Sequence, residues 1–426
     1  MGVDWQAGRT RRWVMWGVLA LGFFLMSFNR VTTGVLAEDL TRAFDLTATE
    51  LSVLHSSFFY IYAPLQLPAG LLVDRYGPRR VSSTGIVVMS VGVCAFALSG
   101  SLVTGGLSRL LVGLGGSVVY LSILRFGADW FQENEFATVV GLSIAVSGLG
   151  GLAATTPLAL FVAAIGWRGA TLAAGAAGVG LGVAIYLVVR DSPARADVDA
   201  PAGVAAGGGS APDRRTVVAN TRRVLSSLDA WLLGVMLFLV IGTNLTILGL
   251  WGVPYLVHVY GLRVPAASSV VLVGTLGLVV GSPLFGWLSD RLDARLGFML
   301  VGTVVFTLGY AVIAVTAKPP LVVVAAVFFL GNFVTGATAL SYTLVKERHP
   351  DASGAATGAL NSLGYFGAAI IPAAMGVTLD VYWTGETIRG SRIYSLAGYR
   401  LAFGVAALAG VVAVVCVAVV IHRSRR

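Results

Sequence analysis

Charge is scarce in this sequence, and the scarcity decides its class. Only 12% of the 426 residues are charged, whereas 57% are hydrophobic and the mean hydropathy is +0.85. A soluble domain carries about 25% charged residues, so this chain lacks the charge to cover a water-facing surface. We therefore predict an all-α polytopic membrane protein.

Cysteine and histidine are also too few to support several kinds of chemistry. The two cysteines, Cys94 and Cys416, both fall within apolar segments, and the four histidines are scattered. These numbers exclude a disulfide framework and give no metal-ligand spacing. No nucleophile–base pair stands out either, so we expect neither an enzyme nor a cofactor.

Twelve apolar segments are long enough to cross a bilayer as helices. Their approximate limits are 13–37, 51–73, 81–99, 105–124, 137–163, 169–190, 229–256, 266–287, 297–317, 320–345, 353–377 and 398–421. The first follows three arginines, as in a secretory signal, but it is too long for one and is interpreted as a retained helix.

The basic residues indicate how the chain is oriented. Of 29 Lys and Arg residues, 20 fall on the side of the chain ends, seven fall on the other side, and Arg30 and Arg109 fall within spans. This bias places both termini in the cytoplasm, with the protein in the cell membrane. It also explains the net charge of +9 without a nucleic-acid partner.

The chain divides into two similar halves. Residues 191–228 are rich in Gly, Ala, Pro, Asp and Arg and predict a flexible cytoplasmic linker. The division is a cytoplasmic tail at 1–12, a six-helix bundle at 13–190, the linker, a second bundle at 229–421 and a tail at 422–426. Gly70–Arg75 (GLLVDR) recurs as Gly286–Arg291 (GWLSDR). Parallel repeats of this length predict two pseudo-symmetric bundles, which is typical of transporters.

Arg30 is the residue around which we expect a site to form. It lies roughly 25 Å along the first helix from Trp13, past the midplane of a bilayer core about 30 Å thick. Arginine keeps its charge, and a charge at that depth requires a watery cavity, a partner or an anionic ligand. The alternative is an arginine that reaches the headgroups along its stem.

Two motifs resemble those of the major facilitator superfamily. Residues 70–80, GLLVDRYGPRR, resemble its cytoplasmic loop signature, and residues 109–115, RLLVGLG, resemble its fourth-helix motif. The resemblance implies twelve helices that work by rocker-switch alternating access, with spans one, four, seven and ten around a cavity. It also implies a cytoplasmic latch, carried here by Gly70, Asp74, Arg75, Gly77, Arg79, Asp290 and Arg291. Arg109 is implied to have a structural or a coupling role, and both remain open.

Residues 29–70 further resemble the anion:cation symporter branch, which carries carboxylates such as sugar acids. That branch has an acidic residue where this chain has Asn29, and often a carboxylate where it has Gly116. Both positions are associated with proton coupling in the branch. The anion-binding arginine is therefore retained, whereas the resemblance leaves proton symport in doubt.

Polar side chains at helical spacing supply the other candidate contacts. Span two carries His55, Phe59, Tyr62 and Gln66, and span eleven carries Asn361, Tyr365 and Pro372. We predict that the substrate site comprises Arg30, Tyr62, Gln66, Asn244, Trp251 and Asn332. Each amide could instead serve only as an interhelical hydrogen-bonding group.

The sequence thus predicts a secondary active or facilitative transporter for a small organic anion such as a carboxylate or sugar acid. We expect a functional monomer in the lipid bilayer, and a coupling proton or ion is left open. One alternative is efflux of a neutral or cationic compound, although no span holds a central acidic residue. The other is a substrate sensor on the same scaffold.

Overall fold

The computed structural model describes residues 5–193, 214–292, 294–316, 318–388 and 391–425. Within them the chain is almost wholly helical. The α-helices are α1 (Trp5–Val31), α2 (Thr33–Phe44), α3 (Ala48–Tyr76), α4 (Pro78–Leu98), α5 (Leu102–Gly116), α6 (Val119–Trp130), α7 (Glu133–Ala153), α8 (Thr156–Val188), α9 (Arg214–Leu225), α10 (Leu228–Thr246), α11 (Gly252–Tyr260), α12 (Val264–Leu292), α13 (Arg295–Thr316), α14 (Leu321–Phe333), α15 (Thr335–Thr338), α16 (Leu340–Arg348), α17 (Ser353–Val381) and α18 (Leu396–Ser424). A π-helix covers Ile247–Trp251, and a 3₁₀ turn covers Pro350–Ala352.

These helices account for the twelve predicted spans. In the described residues, ten stretches are long and apolar enough to cross a membrane, and α3 supplies an eleventh as a bent pair. Helix α8 is 33 residues long but is interrupted at Gly166, where φ is 75° and ψ is 159°. Its first part therefore extends the shorter α7 to complete span five, and the rest forms span six. The predicted break around Gly166 is confirmed.

Spans one, four, seven and ten are each interrupted. The first breaks between α1 and α2 at Thr32, and the fourth breaks between α5 and α6. The π-helix divides the seventh, and α14, α15 and α16 divide the tenth. Such irregular segments within membrane helices are tolerated where they are buried in protein or line a cavity. Spans two and five are also irregular, since α3 is bent and span five is divided between α7 and α8.

The halves meet tightly at one side of the molecule. We call the side where α1 begins and α18 ends the terminal face, and the other side the opposite face. At the opposite face, Asp380 of α17 accepts hydrogen bonds from the backbone N–H groups of Ala48 and Thr49, at 2.7 and 2.8 Å. Nearby, a Cβ atom on Gly376 would lie 2.8 Å from the oxygen of Ala48, so α3 and α17 are in close contact here.

Other contacts between the halves lie at the same face, and we call all of these contacts together the closed seam. A Cβ atom on Gly34 of α2 would lie 3.0 Å from the oxygen of Gly249 in the π-helix. The hydroxyls of Thr156 and Ser269 lie 3.1 Å apart and join α8 to α12. A two-stranded antiparallel hairpin, β1 (Trp383–Ile388) and β2 (Ser391–Tyr394), lies over the same face. The opposite face is therefore closed.

Two of the predicted connecting segments contain helix. Part of the predicted linker forms α9, and Val224 within it is fully buried in the apolar core. The carbonyl of Leu225 accepts a hydrogen bond from Trp231 Nε1 at 2.7 Å. Residues 214–225 of the predicted linker are therefore helical and pack through Val224 against the core, and residues 194–213 lie outside the described part. The predicted tail at 1–12 is likewise helical from Trp5 onward.

Candidate functional site

A cavity of about 520 Å³ lies between the two halves. Spans one and five supply its wall on one side, and spans seven, eight, ten and eleven supply it on the other. On span five it extends from Thr155 towards Gly141, and on span eight from Val271 towards Pro283. It therefore extends from the closed seam towards the terminal face. Its lining includes Ser27, Arg30, Ser147, Thr155, Asn244, Thr275, Ser282, Asn332, Thr335 and Tyr365.

Arg30 is the basic residue in the described lining of this cavity. Its Nη1 donates a hydrogen bond to the hydroxyl of Tyr365 at 3.1 Å, and its guanidinium carbon lies 5.9 Å from the centroid of that ring. Its Nε is buried with no hydrogen-bond partner among the described residues. None of the acidic side chains that the structure describes forms an ion pair with it. The guanidinium thus faces the cavity with capacity to bind an anion.

Tyr62 and Gln66 lie behind Tyr365, where α3 contacts α17, and they are outside the cavity lining. The ring of Tyr62 meets that of Tyr365 edge to face, with the centroids 4.8 Å apart. Gln66 Oε1 accepts a hydrogen bond from Asn361 Nδ2 at 2.9 Å, and Asn361 Oδ1 accepts one from the hydroxyl of Tyr342 at 3.2 Å. These contacts hold α3 against α17, so both residues position the partner of Arg30.

Asn244 and Asn332 do line the cavity, but their amides are bonded to the protein. Asn244 Nδ2 donates to Gly331 O at 3.0 Å and to Thr335 Oγ1 at 2.7 Å. Its Oδ1 accepts a hydrogen bond from the hydroxyl of Tyr310 at 2.9 Å. Asn332 Nδ2 donates within its own helix to the carbonyl of Phe328 at 3.2 Å. The amide of Asn244 therefore joins span seven to spans nine and ten, whereas that of Asn332 has one N–H bonded within its own helix.

Trp251 lies apart from the other predicted site residues. It is 1% exposed and packs edge to face on Tyr394 of the hairpin, with the ring centroids 6.1 Å apart. It belongs to the apolar core of the C-terminal half and is not in the wall of the cavity. The π-helix that ends at Trp251 alters the register of span seven and turns this ring away from the predicted face.

Arg109 is buried beside span one without entering the cavity wall. Its Nη1 donates to the carbonyl of Asn29 at 2.9 Å, and its Nη2 lies 3.5 Å from the carbonyl of His55. Its guanidinium carbon also lies 5.8 Å from the centroid of the Phe58 ring. A second buried positive charge thus binds the backbone one residue before Arg30 and orients that part of the helix.

The predicted latch residues make their contacts within the N-terminal half. Asp74 lies 3.6 Å from Arg125, and the guanidinium of Arg75 lies over the ring of Tyr76. Gly77 ends α3 with a φ of 84°, a value that suits glycine. The backbone N–H of Arg79 donates to Asp191 at 2.9 Å.

In the described part, the remaining latch positions also form no bond between the two halves. Space around Gly70 is open, and the guanidinium of Arg291 lies over Trp287 in the C-terminal half. The side chain of Asp290 lies outside the described residues. None of the described latch side chains therefore bonds to the other half in this conformation, in which the opposite face is the closed one.

The sequence profile of the Major Facilitator Superfamily matches residues 19–372 and 252–426. Together with the helical halves and the cavity between them, this match decides the family. The chain belongs to the Major Facilitator Superfamily. It is therefore a membrane transporter with many spans and not an enzyme, as the sequence predicted.

Named relatives within the superfamily narrow the comparison. The chain is 28% identical over 296 residues to a probable sulfoacetate transporter of Cupriavidus necator, covering 68% of each. It is 27% identical to a hexuronate transporter of Bacillus subtilis, covering 71% of this chain and 72% of the relative. These names confirm the resemblance to the anion-transporting branch. A membrane sensor protein of Salmonella typhimurium is 26% identical, over 86% of this chain and 85% of the relative.

A solved structure supports the fold. A bacterial homolog of the human lysosomal transporter Spinster, crystallised inward-facing and unoccupied, superposes with a TM-score of 0.75. The match covers 96% of both chains at 16% identity.

Tyr365 was not among the predicted site residues, although the sequence showed it at helical spacing with Asn361 and Pro372 on span eleven. A tyrosine in an apolar span is often an interfacial anchor, and only the packing of α17 against α3 places it beside Arg30. Asp380 was missed for a similar reason, because its role depends on the N-terminus of a helix in the other half.

Proposed function

We propose that this protein carries a small organic anion, a carboxylate or sugar acid, across the cell membrane by rocker-switch alternating access. The observation that supports the proposal is Arg30, a permanent cation that faces a cavity between two halves without an acidic partner among the described residues. A buried unpaired charge is costly, and an anionic substrate would offset that cost while it occupies the site.

The surroundings of Arg30 strengthen the attraction for an anion. Arg109 adds a second positive charge on the other side of span one. The 20 acidic residues of the chain all fall near the ends of the spans or between them. In a low-dielectric interior such charges act more strongly than in water. The centre of the molecule therefore favours anions over neutral or cationic compounds.

The closed seam supports alternating access. We propose that the terminal face is cytoplasmic, because it carries 20 of the 29 basic residues. The cavity would then be closed to the outside by Asp380 and Gly376 and would extend inward. In the other state the seam would open and the Asp74 to Arg79 loop would bond across the cytoplasmic side, as its superfamily motif implies.

A second candidate function is substrate sensing, favoured by the similarity to the membrane sensor protein. A sensor would bind the same anion at Arg30 and pass the change of state to another protein. Counterflow of a labelled anion in proteoliposomes separates the two functions, since a sensor binds its ligand without sustained flux.

The decisive experiment replaces Arg30. In the Arg30→Gln variant we expect anion binding, measured by thermal stabilisation, and counterflow to fall at least tenfold, whereas Arg30→Lys should retain part of both. A ligand at 100 times its Kd should raise the stability of the wild type by about 2.7 kcal/mol. Arg392→Gln, which removes a half-buried arginine of the hairpin that lies outside the cavity lining, is the control. Undiminished affinity in Arg30→Gln would remove Arg30 from the site.

A further inference from the structure

Most polar side chains in the cavity wall are already hydrogen-bonded to the protein. Asn244 uses both N–H donors and its oxygen on Gly331, Thr335 and Tyr310. Thr335 accepts one of those bonds and donates its own proton to Gly331 O at 3.1 Å. Both side chains have thus committed their N–H and O–H donors within the protein and can offer a substrate only an acceptor lone pair.

Four other hydroxyls of the wall also take part in hydrogen bonds within the protein. Thr275 donates to the carbonyl of Val271 at 3.2 Å, and Thr155 donates to that of Leu152 at 2.6 Å. Ser27 and Ser147 hydrogen-bond to each other. Within the described wall, this leaves the hydroxyls of Ser282 and Tyr365 and the amide of Asn332, which has one N–H bonded to Phe328 O, as the neutral groups that can readily bond to a polar substrate atom.

The rest of the wall is apolar. Aliphatic side chains from both halves surround the space next to Arg30, and they include Val31, Ile144, Ile241, Leu245, Leu248 and Leu278. Burial of an apolar surface against such side chains is favourable. A hydroxyl placed there would lose its bonds to water without gaining others, and an unsatisfied buried polar group is costly.

The cavity also offers one cation. Arg30 is the basic residue of its lining, and Arg109 lies outside that lining with its guanidinium bonded to backbone carbonyls. A substrate with one anionic group could pair that group with Arg30. A second anionic group at the far end would meet the aliphatic wall.

We infer that the substrate combines a single anionic group with an apolar body, and that a polyhydroxylated sugar acid is a poor fit. This inference rests on the proposed function, since it assumes that the cavity binds the transported anion. It makes that function more specific, because the charge of Arg30 alone does not distinguish an apolar carboxylate from a polyhydroxylated one.

Four compounds on one ring skeleton test the inference. Cyclohexanecarboxylate carries the anion and an apolar ring, quinate adds four hydroxyls, cyclohexane-1,4-dicarboxylate adds a second charge, and cyclohexanecarboxamide removes the charge. We expect purified full-length protein to bind cyclohexanecarboxylate at least tenfold more tightly than each of the others. The preference over the carboxamide should vanish in Arg30→Gln.

A pair of leucines on α12 provides a matched variant and control. Leu278 lines the cavity, whereas Leu276 does not, and their exposures are 38% and 36%. Leu278→Gln adds an amide that a substrate hydroxyl can reach, so the preference for cyclohexanecarboxylate over quinate should narrow several-fold. Leu276→Gln should leave that ratio unchanged.

The outcomes distinguish a failure of this inference from a failure of the proposed function. If cyclohexanecarboxylate binds no more tightly than quinate in the wild type, or if neither binds, the inference is overturned. If quinate is preferred and its binding still requires Arg30, the anion carrier survives and only the apolar substrate is wrong. If Arg30→Gln changes no affinity, the proposed function fails as well.

Discussion

At the scale of single residues, two polar side chains of one cavity have different roles. Arg30 lines the cavity and has the Tyr365 hydroxyl as its one hydrogen-bond partner among the described residues, whereas Asn244 has both amide N–H groups and its oxygen bonded within the C-terminal half. Interhelical hydrogen bonds in membranes contribute about 0.6 kcal/mol on average. The same wall therefore contains one group available to a ligand and one that serves helix packing.

This difference predicts that Asn244→Ala acts on stability. Its removal leaves the Tyr310 hydroxyl and the oxygen of Gly331 without this partner, so we expect the free energy of unfolding to fall by about 1–2 kcal/mol. The affinity of the folded protein for an anion should change less than threefold. Thermal unfolding with and without ligand measures both quantities. A large loss of affinity without a loss of stability would make Asn244 a ligand contact instead.

Some residues of this site could be predicted from the sequence and others could not, for physical reasons. Arg30 could be found because a charge within an apolar segment is conspicuous. Trp251 was misassigned because helical spacing assumes an uninterrupted α-helix, and the π-helix before it changes which face the ring occupies. Tyr365 depends on a contact across 335 positions of the chain, which no local pattern specifies.

At the scale of elements, α3 and α17 form the closed part of the seam. The carboxylate of Asp380 caps the first backbone N–H groups of α3, where the helix dipole favours a negative charge. Close packing at Gly376 brings the two helices together below it. The sequence predicted both helices, but it did not predict their pairing, because residues from opposite halves have no shared pattern.

Neutralising this cap should loosen the opposite face. Hydrogen bonds to a charged group contribute about 1.5–3 kcal/mol, and 1.4 kcal/mol corresponds to a tenfold change in an equilibrium. In Asp380→Asn we therefore expect a cysteine at position 35, in a background without Cys94 and Cys416, to react with an impermeant maleimide at least tenfold faster from that face.

The matched control for Asp380 is Asp39, a carboxylate of α2 beyond the predicted end of span one. It pairs with Arg42 of the same helix at 3.6 Å, so Asp39→Asn should leave the labelling rate unchanged. Equal rates in the wild type and in Asp380→Asn would show that the cap does not hold the seam closed.

At the scale of the whole molecule, the positions associated with proton coupling carry no acid. Asn29 is 5% exposed and donates its side-chain N–H to the carbonyl of Leu25 at 2.8 Å. A Cβ atom on Gly116 would lie 3.1 Å from Met26, so that position serves close packing of α5 against α1. Two permanent cations thus remain at the centre, without a carboxylate there to carry a proton with the anion.

Transport of a monovalent anion should therefore move net charge. Moving one charge through 100 mV corresponds to about 2.3 kcal/mol, or roughly 40-fold accumulation at 1.4 kcal/mol per decade. In proteoliposomes with a potassium diffusion potential, positive inside, we expect uptake to rise steeply with the potential. A pH gradient applied with the potential clamped at zero should drive none, and Arg30→Gln should abolish the response. If the pH gradient alone drives accumulation, a proton travels with the anion. His55 then becomes the group to replace, because both of its ring nitrogens are buried with no hydrogen-bond partner in the described structure.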